Sequence, residues 1–152
     1  MNEPEIRILL NQVLKDLFYK VLRLQEKSVA QSSNSAVSRS EMHILEVVQD
    51  GQDAQDVTLT YIADMMHVTK ATASVSVKRL TEKGYLRKAP SDVDKRKSIL
   101  MLTDTGEVCC KKHKQFHDLM VESLLHDFKI ADYPYILKSL QALLDFFERI
   151  ER

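Results

Sequence analysis

Three clusters in this 152-residue chain carry residue types and spacings that can do chemistry. The first is cationic. Between Thr69 and Lys97 stand Lys70, Lys78, Arg79, Lys83, Arg87, Lys88, Lys95, Arg96 and Lys97, against Glu82, Asp92 and Asp94. Nine bases and three acids make this window +6 in a chain of zero net charge, which leaves −6 elsewhere. A uniformly basic coat is excluded, but a basic patch of this kind suits a polyphosphate partner. The second cluster is His113 and His117, four residues apart. On a helix both rings leave one face, a metal-ligand spacing. His43 is a candidate third ligand, and Glu26 or Glu41 a candidate carboxylate. The competing reading makes them polar residues at a junction between lobes, hydrogen-bonded to backbone. The third cluster is Cys109-Cys110. Sequence neighbours rarely bridge, so reduced thiols in a cytoplasmic protein are expected. A redox switch is the alternative to packing as small hydrophobes.

Enzyme signatures are missing. The sequence holds no Gly-rich phosphate loop and no G-x-S-x-G, and its acids are scattered over polar stretches without the apolar surroundings that raise a carboxyl pKa. The N-terminus MNEPEIRILL has no cationic leader pattern, so no signal peptide is expected. No run of 18 apolar residues occurs, so neither is a membrane span.

The elements that must position these clusters are mostly helical. Only three Gly and three Pro occur, which favours long helices. Ile6, Leu9, Leu10, Val13, Leu14, Leu17, Phe18, Val21 and Leu22 follow a 3,1,3,1 rhythm, one wide apolar stripe. The rhythm returns from Tyr133 to Ile150, with Asp132 as expected cap and Pro134 in the first turn. A further helix is expected over 104–126. Such stripes at both ends exceed what one small domain needs, and point to two chains interlocking. Gln31–Ser40 reads as a polar loop, closed by Ser38-x-x-Glu41, a capping-box spacing that opens a short helix. Gln49–Asp56 reads as a polar turn.

The middle segment carries the cations. A short helix fits Thr58–Met66 and a second fits Thr69–Lys83, the latter with Ala73, Val77 and Leu80 as its inward line and Gly84 as its stop. Two short helices with a tight bend at His67-Val68-Thr69 form a helix-turn-helix. Strands at Tyr85–Ala89 and Ser98–Leu102, joined by the charged Pro90–Lys97, complete a hairpin wing. With Ala73, Val77 and Leu80 inward, Thr69, Lys70, Ala71, Thr72, Ser74 and Val75 face outward at the helix start. Short hydroxyls and small methyls suit base edges in a major groove. Lys78 and Arg79 are better placed for phosphates. At the wing tip, Arg96 suits a narrow minor groove, flanked by Lys95 and Lys97, with Asp94 expected to brace its guanidinium.

Thr69-x-x-Thr72-x-x-x-x-Val77-x-x-Leu80-x-x-Lys83-Gly84-Tyr85-Leu86, then Asp94-Lys95-Arg96, then Leu102-Thr103-x-x-Gly106, resembles the MarR family of winged helix-turn-helix regulators. Glu41-Met42-His43 and His113-Lys114-x-Phe116-His117-x-x-Met120-Val121-Glu122 resemble its fatty-acid-synthesis repressors in Gram-positive bacteria, the FabT group. Departures are Asp104-Thr105 after Leu-Thr and the Ala71-Thr72-Ala73-Ser74 start of the reading helix. The resemblance implies a mainly α fold with a small β-wing. Residues 1–31 and 104–152 are then dimerisation helices, and 38–103 the DNA-binding lobe, with reader helices 58–83 and wing 85–102. It implies a cytoplasmic homodimeric regulator, a repressor on a pseudo-palindromic operator in double-stranded DNA. No cofactor is required; an acyl chain, acyl carrier protein or another small molecule is the implied effector. Zinc-sensing MarR repressors are similar in placing histidines at His43, His113 and His117, so a metal-responsive repressor is the alternative. A helical interaction module without DNA function is the alternative of another class.

Overall fold

The computed structural model describes residues 1–34, 36–52 and 56–150, without the side chain of Ala131. Residues 35, 53–55 and 151–152 fall outside that description, and with them part of the expected loop at 31–40 and of the expected turn at 49–56. The described residues form helices α1 (Glu3–Ser33), α2 (Arg39–Gln52), α3 (Leu59–Met65), α4 (Lys70–Glu82), α5 (Asp104–Phe128) and α6 (Pro134–Ile150). Strands β1 (Leu86–Pro90) and β2 (Ser98–Leu102) lie between α4 and α5, and a 3-10 turn covers Ile130–Asp132. The chain resolves into two compact units, 1–113 and 114–152.

In the first unit the core is built by α2, α3, α4 and the hairpin, joined by the C-terminal end of α1 and the start of α5. Its members include Val29, Met42, Leu45, Val48, Val57, Ile62, Leu80, Leu86, Leu100 and Cys110. α1 runs through Ser33, past the start of the expected polar loop. The reason is that its first serines are not loop residues: Ser32 and Ser33 are buried, as is Ser28 a turn earlier. Ser33 turns its hydroxyl back to the Val29 carbonyl and accepts from the Val37 amide. Asn34 then ends the helix in the left-handed region, where Asn is tolerated. The Ser38–Glu41 capping box forms as expected: Glu41 N–H donates to Ser38 Oγ (3.3 Å) and Ser38 N–H to Glu41 Oε2 (2.8 Å).

The reader helices end alike. In α3 the Val68 amide reaches back to Ala63 and the His67 amide to Asp64. In α4 the Tyr85 amide reaches Leu80 and the Gly84 amide Thr81. Both are Schellman closures, which need a left-handed residue just past the helix. Gly84 supplies it at φ 79°, whereas His67 adopts φ 52° with a side chain in place. His67 is thus the turn residue its position implies.

The Leu102-Thr103-x-x-Gly106 signature also acquires a physical meaning. Thr103 Oγ1 donates to the carbonyls of Gly84 and Tyr85 and accepts from the Gly106 amide, capping α5 while fastening it to the end of the reader helix. A Cβ at Gly106 would overlap the Tyr85 carbonyl oxygen, so only glycine lets α5 start there. In the hairpin, Leu86 pairs with Leu102 and Lys88 with Leu100. Leu86, Leu100 and Leu102 are buried, while Arg87 and Lys88 are exposed.

In the second unit, Pro134 takes the first position of α6, where its missing N–H costs nothing. α6 buries no residue. Among the described residues no helix is long and apolar enough to cross a membrane.

Candidate nucleic-acid interface

α4 presents the expected face. Ala73, Val77 and Leu80 are buried, and Lys70, Ala71, Thr72, Ser74, Val75, Lys78 and Arg79 are exposed. Thr69 is the N-cap: its Oγ1 accepts from the Thr72 amide (3.2 Å) and shares a 2.9 Å hydrogen bond with the Thr72 hydroxyl. Thr72 therefore braces the helix start with part of its hydrogen-bonding capacity and keeps the rest for a partner. The free amides of this first turn add positive potential to Lys70.

The wing is equally exposed at Lys95, Arg96 and Lys97, while Asp94 is half-buried. Asp94 does not brace the Arg96 guanidinium. Its Oδ1 accepts from the Arg96 main-chain N–H (3.0 Å), and its carbonyl accepts from the Lys97 N–H (2.8 Å). A short carboxylate two residues before its target reaches the backbone more easily than the far end of an arginine. The brace thus orders the turn and leaves the guanidinium to solvent. Ser74 and Lys78 of α4 line one cleft with Lys88 and Ser98 of the hairpin. The outer sides of reader helix and wing accordingly adjoin on one surface.

Among the described residues, two of the nine bases have acidic partners. Lys78 lies 3.8 Å from Glu82 on the exposed side of α4, a weak screened pair. Lys83 donates to both oxygens of Glu41 at 2.8 and 2.9 Å. Burial alone would raise the Glu41 carboxyl, but bonds from Lys83 and from the Ser38 amide and hydroxyl outweigh it, holding its pKa below the ordinary value. Glu41 is therefore an ion-pair partner and capping residue, which removes it from the candidate metal set.

Of the other candidate effector residues, His113 and His117 stand one turn apart on α5, and Glu26 and His43 lie on other helices. Glu26 on α1 and His43 on α2 are exposed. His113 is buried, sharing a 2.9 Å hydrogen bond through Nδ1 with Ser28 Oγ, and its Nε2 is 3.4 Å from Glu46. His117, one turn further along α5, is half-buried and meets the Phe116 ring edge-on. Ser28 and Glu46 escaped the sequence reading; Ser28 carries no local signal, and Glu46 is one acid among many. Cys109 and Cys110 are free and buried. Burial, then the neighbouring Cys109, Glu46 and Asp50, pushes the Cys110 thiol up to about 12. A protonated, enclosed thiol is a poor redox sensor.

Comparison with known proteins agrees with this geometry. The MarR family profile matches residues 37–97. FabT of Streptococcus pneumoniae, solved in complex with DNA, is 30% identical with a TM-score of 0.81, over 95% of this chain and 99% of that one. MepR of S. aureus bound to ethidium bromide shares the fold at 18% identity and a TM-score of 0.67, over 86% of this chain and 95% of that one. An uncharacterized HTH-type transcriptional regulator of Bacillus subtilis, YhjH, is 29% identical over 69% of this chain and 58% of its own length. The chain thus spans about three fifths of the length of the curated relatives it matches. These relatives are transcriptional regulators rather than enzymes. With the reader helix, the wing and a FabT-like path over nearly the whole chain, the protein belongs to the MarR family.

Proposed function

We propose that the protein is a sequence-specific DNA-binding transcriptional regulator of the repressor type, working in the cytoplasm as a homodimer on a pseudo-palindromic operator. The observation that carries this is the pair of exposed faces on α4 and the wing: a first turn of α4 with Lys70, Ala71, Thr72, Ser74 and Val75, and Lys95, Arg96 and Lys97 at the tip of the hairpin whose strands share a cleft with α4. α4 enters the major groove and reads base edges, Lys78 and Arg79 hold phosphates, and Arg96 enters the minor groove. One reader covers few base pairs, so two are needed about one DNA turn (~34 Å) apart. The exposed apolar residues of α1 (Ile6, Leu9, Leu10, Val13, Leu17) and α6 (Ile136, Leu137, Leu140, Leu144) supply the contact with a second copy.

A gel shift at two salt concentrations on duplexes selected by the protein from a random library tests this. Binding that weakens steeply with salt is expected. Thr72→Ala should cost about 1–3 kcal/mol of discrimination between operators rather than of total affinity. No duplex selected at either salt overturns the DNA reading.

Likeness to FabT supports control of fatty-acid-synthesis genes, with an acyl chain on acyl carrier protein as corepressor. The second reading, a zinc-responsive repressor, retains the buried His113 with Glu46 close by. Native mass spectrometry separates the two, since co-purified acyl chains favour the first and zinc the second. A His113→Ala/His117→Ala variant that keeps both metal and response removes the histidines as sensor.

A further inference from the structure

The wing turn is gripped from outside by a residue that belongs to no motif. Ser91 follows β1 and opens a charged turn, yet it is only 1% exposed. Its hydroxyl is fully used. It donates to the Asp56 carboxylate and accepts from the main-chain N–H groups of Val93 (3.1 Å) and Asp94 (3.0 Å). A serine hydroxyl has one hydrogen and two lone pairs. With the hydrogen committed to Asp56, both lone pairs are left for the turn. The Ser91 N–H donates to the Lys97 carbonyl (3.0 Å) and closes the loop at its base. Asp56 lies 35 residues upstream, and its neighbour Val57 accepts from the Leu100 N–H (2.7 Å). Residues 56–57 therefore hold the hairpin at two heights, the strand through main chain and the turn through a carboxylate. Thr58, the next residue, is the N-cap of α3, so the same short segment begins the reader pair.

We propose that Asp56 and Ser91 are positioning residues for DNA binding. Through Ser91, the Asp56 carboxylate sets the pose of Val93–Lys97 relative to the reader helices, and with it the entry of Arg96 into the groove. The inference rests on the DNA-binding reading. It assigns no contact with DNA to either residue: both act through Arg96.

The test uses the full-length protein and a duplex selected by the wild type from a random library, with affinity read by fluorescence anisotropy. Ser91→Ala and Asp56→Ala should each raise Kd about fivefold, the equivalent of one net hydrogen bond. In an Arg96→Ala background neither should add more than about twofold, because the group they position is gone. In the free protein, amide exchange at Val93 and Asp94 should quicken in both variants. Asp56 is only half-buried, so Asp56→Ala keeps the test alive should Ser91→Ala unfold. Affinity unchanged in Asp56→Ala and Ser91→Ala, or losses that add fully to Arg96→Ala, overturn the proposal while leaving DNA binding intact. A wild type that selects no duplex overturns both.

Discussion

α4 and α6 obey the same helical period and meet opposite fates. In α4 the apolar line is Ala73, Val77 and Leu80, and every member is buried. In α6 the apolar residues are more numerous and larger; Ile136, Leu137, Leu140, Leu144, Phe146 and Ile150 are exposed, Leu143 and Phe147 are half-buried, and none is buried. α1 sides with α6: of its residues, only Ser28, Val29, Ser32 and Ser33 at the C-terminal end are buried. Burial is worth roughly 25 cal/mol per Å² of apolar surface, so a long uncovered stripe is a large unsatisfied term. Periodicity reports that a helix has a partner; it does not report whether the partner lies in the same chain. α4 finds its complement in α2, α3 and the hairpin. α6 is left for the second copy of the proposed dimer.

Substitutions on the two helices separate these cases. Leu80→Ala removes a fully buried side chain from the first unit and should cost about 2–5 kcal/mol, read by urea unfolding and independent of protein concentration. Leu140→Asp places a charge on the exposed face of α6. It should weaken association by about 3 kcal/mol, seen as a shift to monomer in light scattering and a melting temperature that varies with concentration. A Leu140→Asp protein that associates as tightly as the wild type would show that the face of α6 is not the dimer contact.

Much of the winged lobe was legible because its rules are local. The inward line of α4, the capping box at Ser38, the stop at Gly84 and the hairpin, its first strand one residue later than expected, all follow from propensities and spacing within a few residues. What escaped depends on partners distant in sequence. The end of α1 reads as a polar loop until the burial of Ser32 and Ser33 is known. Asp94 looks like a guanidinium brace until the main chain is seen to take its oxygen. Glu41 looks like a metal ligand until Lys83, 42 residues later, claims both oxygens. Gly106 lies between these extremes: the motif is visible, its cause is not. Gly106→Ala drives a methyl into the Tyr85 carbonyl and should cost about 1–3 kcal/mol by thermal unfolding. The same change in an open part of α5 would stabilise the helix.

The Glu41–Lys83 pair gives a smaller effect with a definite sign. The folded Glu41 pKa lies below its ordinary value of 4.5. The stability it contributes is therefore present above pH 4.5 and lost as pH falls through the folded value. Urea unfolding between pH 6 and pH 3 should show this loss, and Glu41→Gln should flatten that part of the curve. A Glu41→Gln curve as steep as the wild type's would place the acid sensitivity elsewhere.

The smallest effect concerns the first turns of α5, where the helix belongs to the buried rather than the uncovered class. Cys109 and Cys110 are each 2% exposed, and burial raises both thiols above the ordinary 9.0, Cys110 to about 12. Below pH 9 folded and unfolded chains hold the same thiol protons, and no linkage arises. Above it the unfolded chain ionises first, so stability falls as pH rises toward 12. Comparing wild type with Cys110→Ala at pH 8 and pH 10 isolates this slope from that of the lysines and tyrosines: the wild type should lose more stability over the interval. A thiol reagent at pH 8 should leave both cysteines unmodified until urea opens the unit. Rapid labelling of the folded protein would instead mean that this end of α5 is as open as α6, and the contrast between the two helices would lose one of its supports.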